Sequence, residues 1–579
     1  MANILSNLWN FSIFGGTGDD QITAVGDHGS LDAGDGNDVV NTSSNFSTVK
    51  GGAGDDAINA QGHFNTYEGG DGNDTINATG DHNVVRGGQG SDNLSATGLG
   101  NNLFGGAGDD SLNISGYYNS AFGGEGNDVI TASGHGSGVW GEAGNDTIDA
   151  SGTFLNVDAG TGNDRVDLSG NNNTANGGDG DDTMVSWSDN NTLNGDAGDD
   201  WIFVQGDSVV ADGGAGNDTI FVEGSSGTFN GGEGNDHIHT VHMSQESGNT
   251  FDGGAGNDFL ETHATSSETT LLGGEGDDTI LSRGADDVVD GGAGQDQILV
   301  SGEGSSADGG AGDDIIVAAG EASSLSGGDG NDILVAGGLT ATGMGVDNAH
   351  AAELQGSLAN RSVYNADGTR ADLDGGSVGW NSDYEEVILE QGSVVDGGAG
   401  DDILSGGFGD DTLIGGEGND TFIYTMGEGN DTIKAGNGDT LELRGGPLVE
   451  DFSLDNIHLM SMSEDGSHAN LVFKSETDGE IDLVGTLKID FEPGEMIETL
   501  KIGDQEFNFA DVMDGASTWI SDLDYVGLTD GQLDDLEGAL DTAMGEADSA
   551  GYDPMLEGAF SNTATLAGGT DPLQSDEMA

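Results

Sequence analysis

The sequence predicts an all-β protein: a parallel β-roll, or β-solenoid, of 18-residue coils, then a small C-terminal β region and an acidic, partly helical tail. Three observations carry that prediction. The pattern GGxGxD starts at Gly15 and recurs every 18 residues through Gly231, then at 253, 273, 291, 309 and 327. An aliphatic residue stands two positions after each aspartate, as in Ile22, Val40, Ile58 and Ile76, onward to Leu334. A looser apolar row lies nine residues further on: Leu31, Val49, Tyr67, Val85, Leu103, Val139, Leu193 and Phe229.

Each unit therefore reads as turn, short strand, turn, short strand, with one apolar residue of each strand aimed inward. A single unit cannot bury that face, but stacked units share a continuous core. At about 4.8 Å between stacked strands, eighteen coils would make a rod roughly 85 Å long. The fourth-position glycine and sixth-position aspartate are kept in every unit, while the first two glycines give way at Ala33, Glu142, Ala159 and Asp196. The edge opposite the aspartates carries Asn65, Asn83, Asn101, Asn119, Asn173 and Asn191 in one row. Gly62, Gly80, Gly98, Gly116, Gly134 and Gly152 form a second row there. Both residue types tolerate the left-handed backbone of a tight corner, and stacked asparagines can form a hydrogen-bonded ladder. This edge reads as structural.

Composition narrows the function classes. The 579 residues include 109 Gly, 4 Pro and no Cys, and 106 acidic against 11 basic side chains give a formal charge of −95. Nucleic acid and anionic membranes would be repelled by such a field; cations would be drawn to it. Without cysteine there is no disulfide framework and no thiolate chemistry. The opening MANILSNLWNFSIFGG lacks the basic and apolar regions of a cleaved signal peptide. No 18-residue apolar run is present to span a bilayer.

Stacking places one aspartate of each coil about 4.8 Å from the next, and at an effective dielectric near 20 each ionised pair costs about 3 kcal/mol. A hard dication between turns reverses that sign. Carboxylates and glycine-exposed carbonyls supply the six to eight oxygens Ca²⁺ takes, whereas Mg²⁺ keeps its waters and demands a tighter octahedron. The stretches GGDGNDTIN, GGAGNDTIF and GGEGNDTFI resemble the GGxGxDxUx nonapeptide of RTX, or haemolysin-type calcium-binding, proteins. The resemblance implies multiple Ca²⁺ ions held between coils by turn carbonyls and the sixth-position aspartates. In the 18-residue units these are Asp20, Asp38, Asp56, Asp74, Asp92, Asp110, Asp128, Asp146, Asp164, Asp182, Asp200, Asp218, Asp236, Asp258, Asp278, Asp296, Asp314 and Asp332. Asp402, Asp411 and Asp420 follow in the later repeats. The family repeat is nine residues, with calcium turns on both edges; here one nonapeptide of each pair has become a Gly/Asn corner, so calcium is expected along a single edge. Nine-residue spacing returns only at 397, 406 and 415, where both edges should bind.

The chain divides into an N-terminal cap (1–14), the 18-residue coils (15–336), an insertion (337–396), terminal nonapeptide coils (397–435), a C-terminal β region (436–513) and an acidic tail (514–579). The insertion carries Arg361 and Arg370, two of the few basic residues, and reads either as a long loop or as a contact site for an acidic face of another copy. The C-terminal β region resembles the post-repeat region of type I secretion substrates, which implies an uncleaved export signal there or in the tail. Leu533, Leu536 and Leu540 give the tail an amphipathic helix pattern. DLDYVG at 522–527 lacks the position-12 glutamate of an EF-hand. His237, His239 and His242, with His263 one coil on, read more readily as surface decoration than as a transition-metal site.

The expected function is that of a secreted calcium-binding structural protein that folds on Ca²⁺ outside the cell, as a surface-layer, matrix or envelope component. The alternative is a calcium-dependent adhesin or binding module for a receptor or glycan. Partners are thus calcium ions, with self-assembly or a cell-surface glycan as the further options. No catalytic residue is assigned: repeats begin at residue 15, and neither HExxH nor GxSxG occurs.

Overall fold

Inward-facing aliphatic residues at fixed spacing and glycine at the corners make each 18-residue segment close on itself and stack on the next. In the computed structural model this produces two parallel sheets, with successive strands alternating between them. The structure describes residues 3–7, 9–241, 246–318, 323–336, 363–364, 370–371, 392–407, 409–425, 429–445, 457–462, 467–477, 480–491, 496–502, 505–510 and 512. The acidic tail with its leucine pattern and DLDYVG segment, Arg361 and His242 lie outside the described residues. Two compact units divide the chain, residues 1–309 and 310–579.

In the first unit every pairing steps by one coil. Ile22 pairs with Val40, Val40 with Ile58 and Ile58 with Ile76 in one sheet. Leu31, Val49, Tyr67 and Val85 align in the other. All eight side chains are fully buried, so the two rows form the core. A third inward row, Ala24, Ala60, Ala78, Ala96, Ile114 and Ala132, fills the space beside the first. The N-terminal segment Asn3–Asn7 already pairs in parallel with Gln21–Val25. The longer units keep register: Ile238 pairs with Leu260 and Leu260 with Ile280, so their extra residues fall outside the paired strands.

In the second unit the stack crosses the insertion without losing register. Ser324–Asp329 pairs with Val394–Ala399, and Ile333–Val335 with Ile403–Ser405. Val363–Tyr364 and Arg370–Ala371 form a short antiparallel pair. Further on, Asn430–Ala435 pairs in parallel with Glu480–Phe491, which runs antiparallel to His468–Thr477. Thr440–Arg444 pairs with Thr499–Ile502.

Candidate calcium-binding edge

The sixth-position aspartate of each unit sits where the chain leaves the glycine turn and enters the strand, with its side chain folded back under the turn. In the first unit the aspartates from Asp20 to Asp296 are at most 3% exposed. They form a one-directional ladder: the backbone N–H of Asp38 donates to Oδ1 of Asp56 at 2.7 Å, Asp56 to Asp74 at 2.8 Å, and Asp74 to Asp92 at 2.7 Å. The pattern continues to Asp278, whose N–H donates to Asp296 at 2.8 Å. One carboxylate oxygen is thereby committed to holding coils together.

The second oxygen is not. Oδ2 of Asp38, Asp56, Asp74, Asp92, Asp110, Asp128, Asp146, Asp164, Asp182, Asp200, Asp218, Asp236 and Asp278 is buried without a hydrogen-bond partner. In the turns that begin with glycine it points under that glycine. A β-carbon on Gly87 would collide with Asp92 Oδ2 and lie 2.7 Å from the carbonyl oxygen of Gly105, one coil on. Gly105, Gly123, Gly195, Gly213 and Gly231 repeat the arrangement with their own aspartate and the next coil's carbonyl. The missing side chain thus lets a carboxylate oxygen and a carbonyl oxygen from two successive coils approach the same point. An orphaned buried oxygen, an all-oxygen donor set and a close approach of two oxygens that any β-carbon would block all fit Ca²⁺.

The electrostatics agree. Burial pushes the carboxyls of Asp56, Asp110, Asp146, Asp182, Asp236 and Asp278 up to about 7, opposed by the hydrogen bond from the preceding coil and helped by neighbouring aspartates. Asp200 is pushed up to about 8 by the same causes. A nearby dication would return these groups to the ionised form.

The second unit carries the same edge. Asp314 donates to Asp332, Asp332 to Asp402 across the insertion, and Asp402 to Asp420, at 2.8, 2.8 and 3.1 Å. Asp411 lies on the opposite edge: Ser393 N–H donates to its Oδ1 at 2.6 Å and its own N–H donates to Asp431 at 3.0 Å. The structure extends both rows by residues the sequence reading missed. Asp420 N–H donates to Asp439 at 3.0 Å, and buried Asp431 follows Asp411, its carboxyl raised well above the usual range by burial and then by Asp411. The degenerate turns GEGND and AGNGD carried that signal.

A second, counter-running ladder was also missed. The residue before each buried aspartate is usually Asn or Asp, and its side chain accepts from the following coil: Asn37 Oδ1 from Asp55 N–H at 3.1 Å, Asp55 Oδ1 from Asn73 N–H at 2.9 Å. The recurring ND and DD dipeptides are its signature. On the opposite edge the asparagine ladder forms, with Asn65, Asn83 and Asn101 each donating N–H to Oδ1 of the next asparagine at 2.8–3.0 Å. Of the histidines, His237 Nε2 and His239 Nδ1 lie 3.1 Å apart, while the described atoms of His263 contact Thr240 and Thr265.

An acid-lined edge on a stacked parallel solenoid defines a class of repetitive metal-binding β-rolls. A family model for the RTX calcium-binding nonapeptide repeat matches residues 32–62, 61–94, 95–113, 116–135, 139–152, 158–193, 194–226, 210–238, 246–264, 263–298, 308–338, 393–423 and 427–439, more than half of the chain. The protein belongs to that RTX family. No curated protein matches it. Among solved structures it is similar to a hyperactive, Ca²⁺-dependent, β-helical antifreeze protein from an Antarctic bacterium, at 18% identity over 62% of this chain and 91% of the other, with a TM-score of 0.20.

Proposed function

We propose that the protein is a secreted structural component whose β-roll closes on calcium outside the cell and contributes to a surface layer, matrix or envelope. The observation that carries this reading is the row of buried carboxylates in each unit, with a carboxylate oxygen set beside the next coil's carbonyl at turns such as those of Gly87, Gly105, Gly123, Gly195, Gly213 and Gly231. Asp20, Asp38, Asp56 and their successors through Asp332, with Asp402, Asp411 and Asp420, are the side-chain ligands in this reading; Asp431 and Asp439 extend it. Calcium supplies the positive charge that joins carboxylate to carbonyl. The chain supplies everything else: glycine cradles, the Oδ1 ladder that sets coil spacing, and an aliphatic core that cannot hold the stack against its own charge. Extracellular sites of this type have dissociation constants of about 10⁻⁴ to 10⁻³ M, so the chain stays open at cytosolic calcium and folds at millimolar calcium.

A second reading, as a calcium-dependent adhesin, is favoured by one feature. Along five successive turns of the Gly/Asn edge, His28, Phe46, Phe64 and His82 stack ring against ring at 4.9–5.1 Å, and Trp9 tilts against His28 at 5.0 Å. Phe46 and Phe64 remain 54% and 52% exposed, which suits contact with a receptor or glycan.

Circular dichroism during CaCl₂ and, separately, MgCl₂ titration, with light scattering on the same samples, tests both. Cooperative β-structure with Ca²⁺ alone and a parallel rise in scattering are expected. Full β-structure in excess EDTA at neutral pH would overturn the calcium-closure mechanism. A calcium-folded monomer that binds cells or glycan arrays would favour the second reading.

A further inference from the structure

One outward row of the first unit carries a charge pattern with a gap. Across successive coils, Lys50 pairs with Glu68, Glu68 with Arg86, Arg86 with Phe104, Phe104 with Phe122, Phe122 with Trp140, and Trp140 with Asp158. Lys50 forms an ion pair with Glu68. Phe104, Phe122 and Trp140 make a continuous stack, with centroids 4.9 and 4.5 Å apart and planes within 7°. Arg86 caps one end of it, its guanidinium carbon 5.2 Å from the Phe104 centroid. The row thus reads cation, anion, cation, three rings, anion.

At the far end a cation is missing. No lysine or arginine among the described residues lies over Trp140, and Asp158, the next residue in the row, has no cationic partner among them. An aspartate side chain is too short to cover an indole, and a carboxylate over a ring face is repelled by the ring quadrupole. Glu142 stands two residues after Trp140, exposed, where the other coils of this first unit carry glycine except at Asp196. The ring has room made for it: a β-carbon on Gly138 would collide with the Trp140 indole.

The geometry points to a guanidinium-binding site over the face of Trp140 turned away from Phe122, with Asp158 and Glu142 as its carboxylate partners. Arg86 shows the same contact already made within the chain at the other end of the stack. A planar guanidinium suits it better than an ammonium, because it stacks on the indole while its edge donates to a carboxylate. A metal ion does not need the ring, and an anion or apolar ligand meets the wrong charge. The group is carried either by a small free compound or by an arginine of a second copy.

The test uses the calcium-saturated full chain, ¹⁵N-labelled at tryptophan, in about 0.15 M salt so that diffuse attraction is screened. The probe is N-acetyl-argininamide, with neutral N-acetyl-norvalinamide as control, and Trp140→Phe assigns the indole signal. A saturable shift confined to Trp140, absent with the control and weakened about tenfold in Asp158→Asn, is expected. Shifts that grow linearly across all the indoles, or that survive Asp158→Asn and Glu142→Gln together, would overturn the site. Sedimentation velocity separates the sources. Self-association competed by the probe assigns the group to a second copy, and a distribution the probe leaves unchanged assigns it to a free compound. Unchanged circular dichroism of each variant in calcium controls for folding.

Discussion

The backbone N–H of Asp74 donates to Oδ1 of Asp92 at 2.7 Å, and half a coil away the two edges diverge. Asn83 donates its N–H to Asn101 Oδ1 at 2.9 Å in the same way, but its amide Nδ2 also donates to the carbonyl of Gly62 at 3.0 Å. Asn101 and Asn119 reach Gly80 and Gly98 likewise, at 2.9 and 3.2 Å. The amide N–H thus does on one edge what a cation must do on the other, joining a side chain to a glycine carbonyl of a neighbouring coil. An Asn row closes itself, whereas an Asp row leaves oxygen facing oxygen.

Exchanging the two residues should exchange the behaviour. Asn101→Asp removes the donor to Gly80 and buries a carboxylate oxygen against a carbonyl; it should destabilise the calcium-free state by about 1–3 kcal/mol or more. Asp92→Asn should do the reverse in EDTA while lowering the calcium stoichiometry. Chemical denaturation with and without calcium, with isothermal titration for the stoichiometry, reads both. Equal effects of the two substitutions in EDTA would contradict the argument.

The cradle makes a steric prediction. Gly87→Ala and Gly105→Ala put a methyl between carboxylate and carbonyl and should each weaken calcium-induced folding, seen as a higher calcium midpoint in circular dichroism. Ala33 and Ala159 already carry that methyl, so Ala33→Gly and Ala159→Gly should lower the midpoint. An unchanged midpoint in all four variants would mean that the ion lies elsewhere.

How much of this was legible in the sequence depends on what repeats. The coil length, the two sheets and the aspartate row followed from the recurring spacing, because a stacked solenoid forces equivalent residues into one column. Asp431 and Asp439 were missed because their turns have lost the leading glycine pair, and only their place in the hydrogen-bond ladder reveals them. The orphan status of Oδ2 was invisible, since spacing places a carboxylate on an edge without saying which of its oxygens is occupied. The aromatic rows were overlooked because Phe104, Phe122 and Trp140 look scattered until the 18-residue register aligns them.

Acid should substitute for calcium. The aspartates whose folded carboxyls are raised, Asp56, Asp110 and Asp146 to about 7 and Asp74, Asp92 and Asp128 to about 6, bind protons more tightly folded than unfolded. Their contribution is present below the unfolded value near 3.8 and is lost as pH rises through the folded values. In EDTA, β-structure should therefore be greatest at about pH 4 and below and fall between about pH 4 and 7, while added calcium has little effect at the acidic end. Circular dichroism across that range checks it; calcium-free β-structure that increases with pH would show the sign to be wrong.

The insertion should be dispensable for the stack. Asp332 N–H donates to Asp402 across a step of 70 residues, where a regular coil such as Asp314 to Asp332 steps 18, an excess of 52. Deleting residues 339–390 removes that excess and leaves Gly338 followed by Gln391, with Ser324–Asp329 still able to reach Val394–Ala399. Closing a shorter loop costs less entropy, and the change from 70 to 18 residues favours the folded state by about 1 kcal/mol. The deletion variant should therefore keep its calcium-induced circular dichroism and melt at the same temperature or slightly higher. A lost or non-cooperative transition would mean that the insertion makes contacts on which coils 327 and 397 depend.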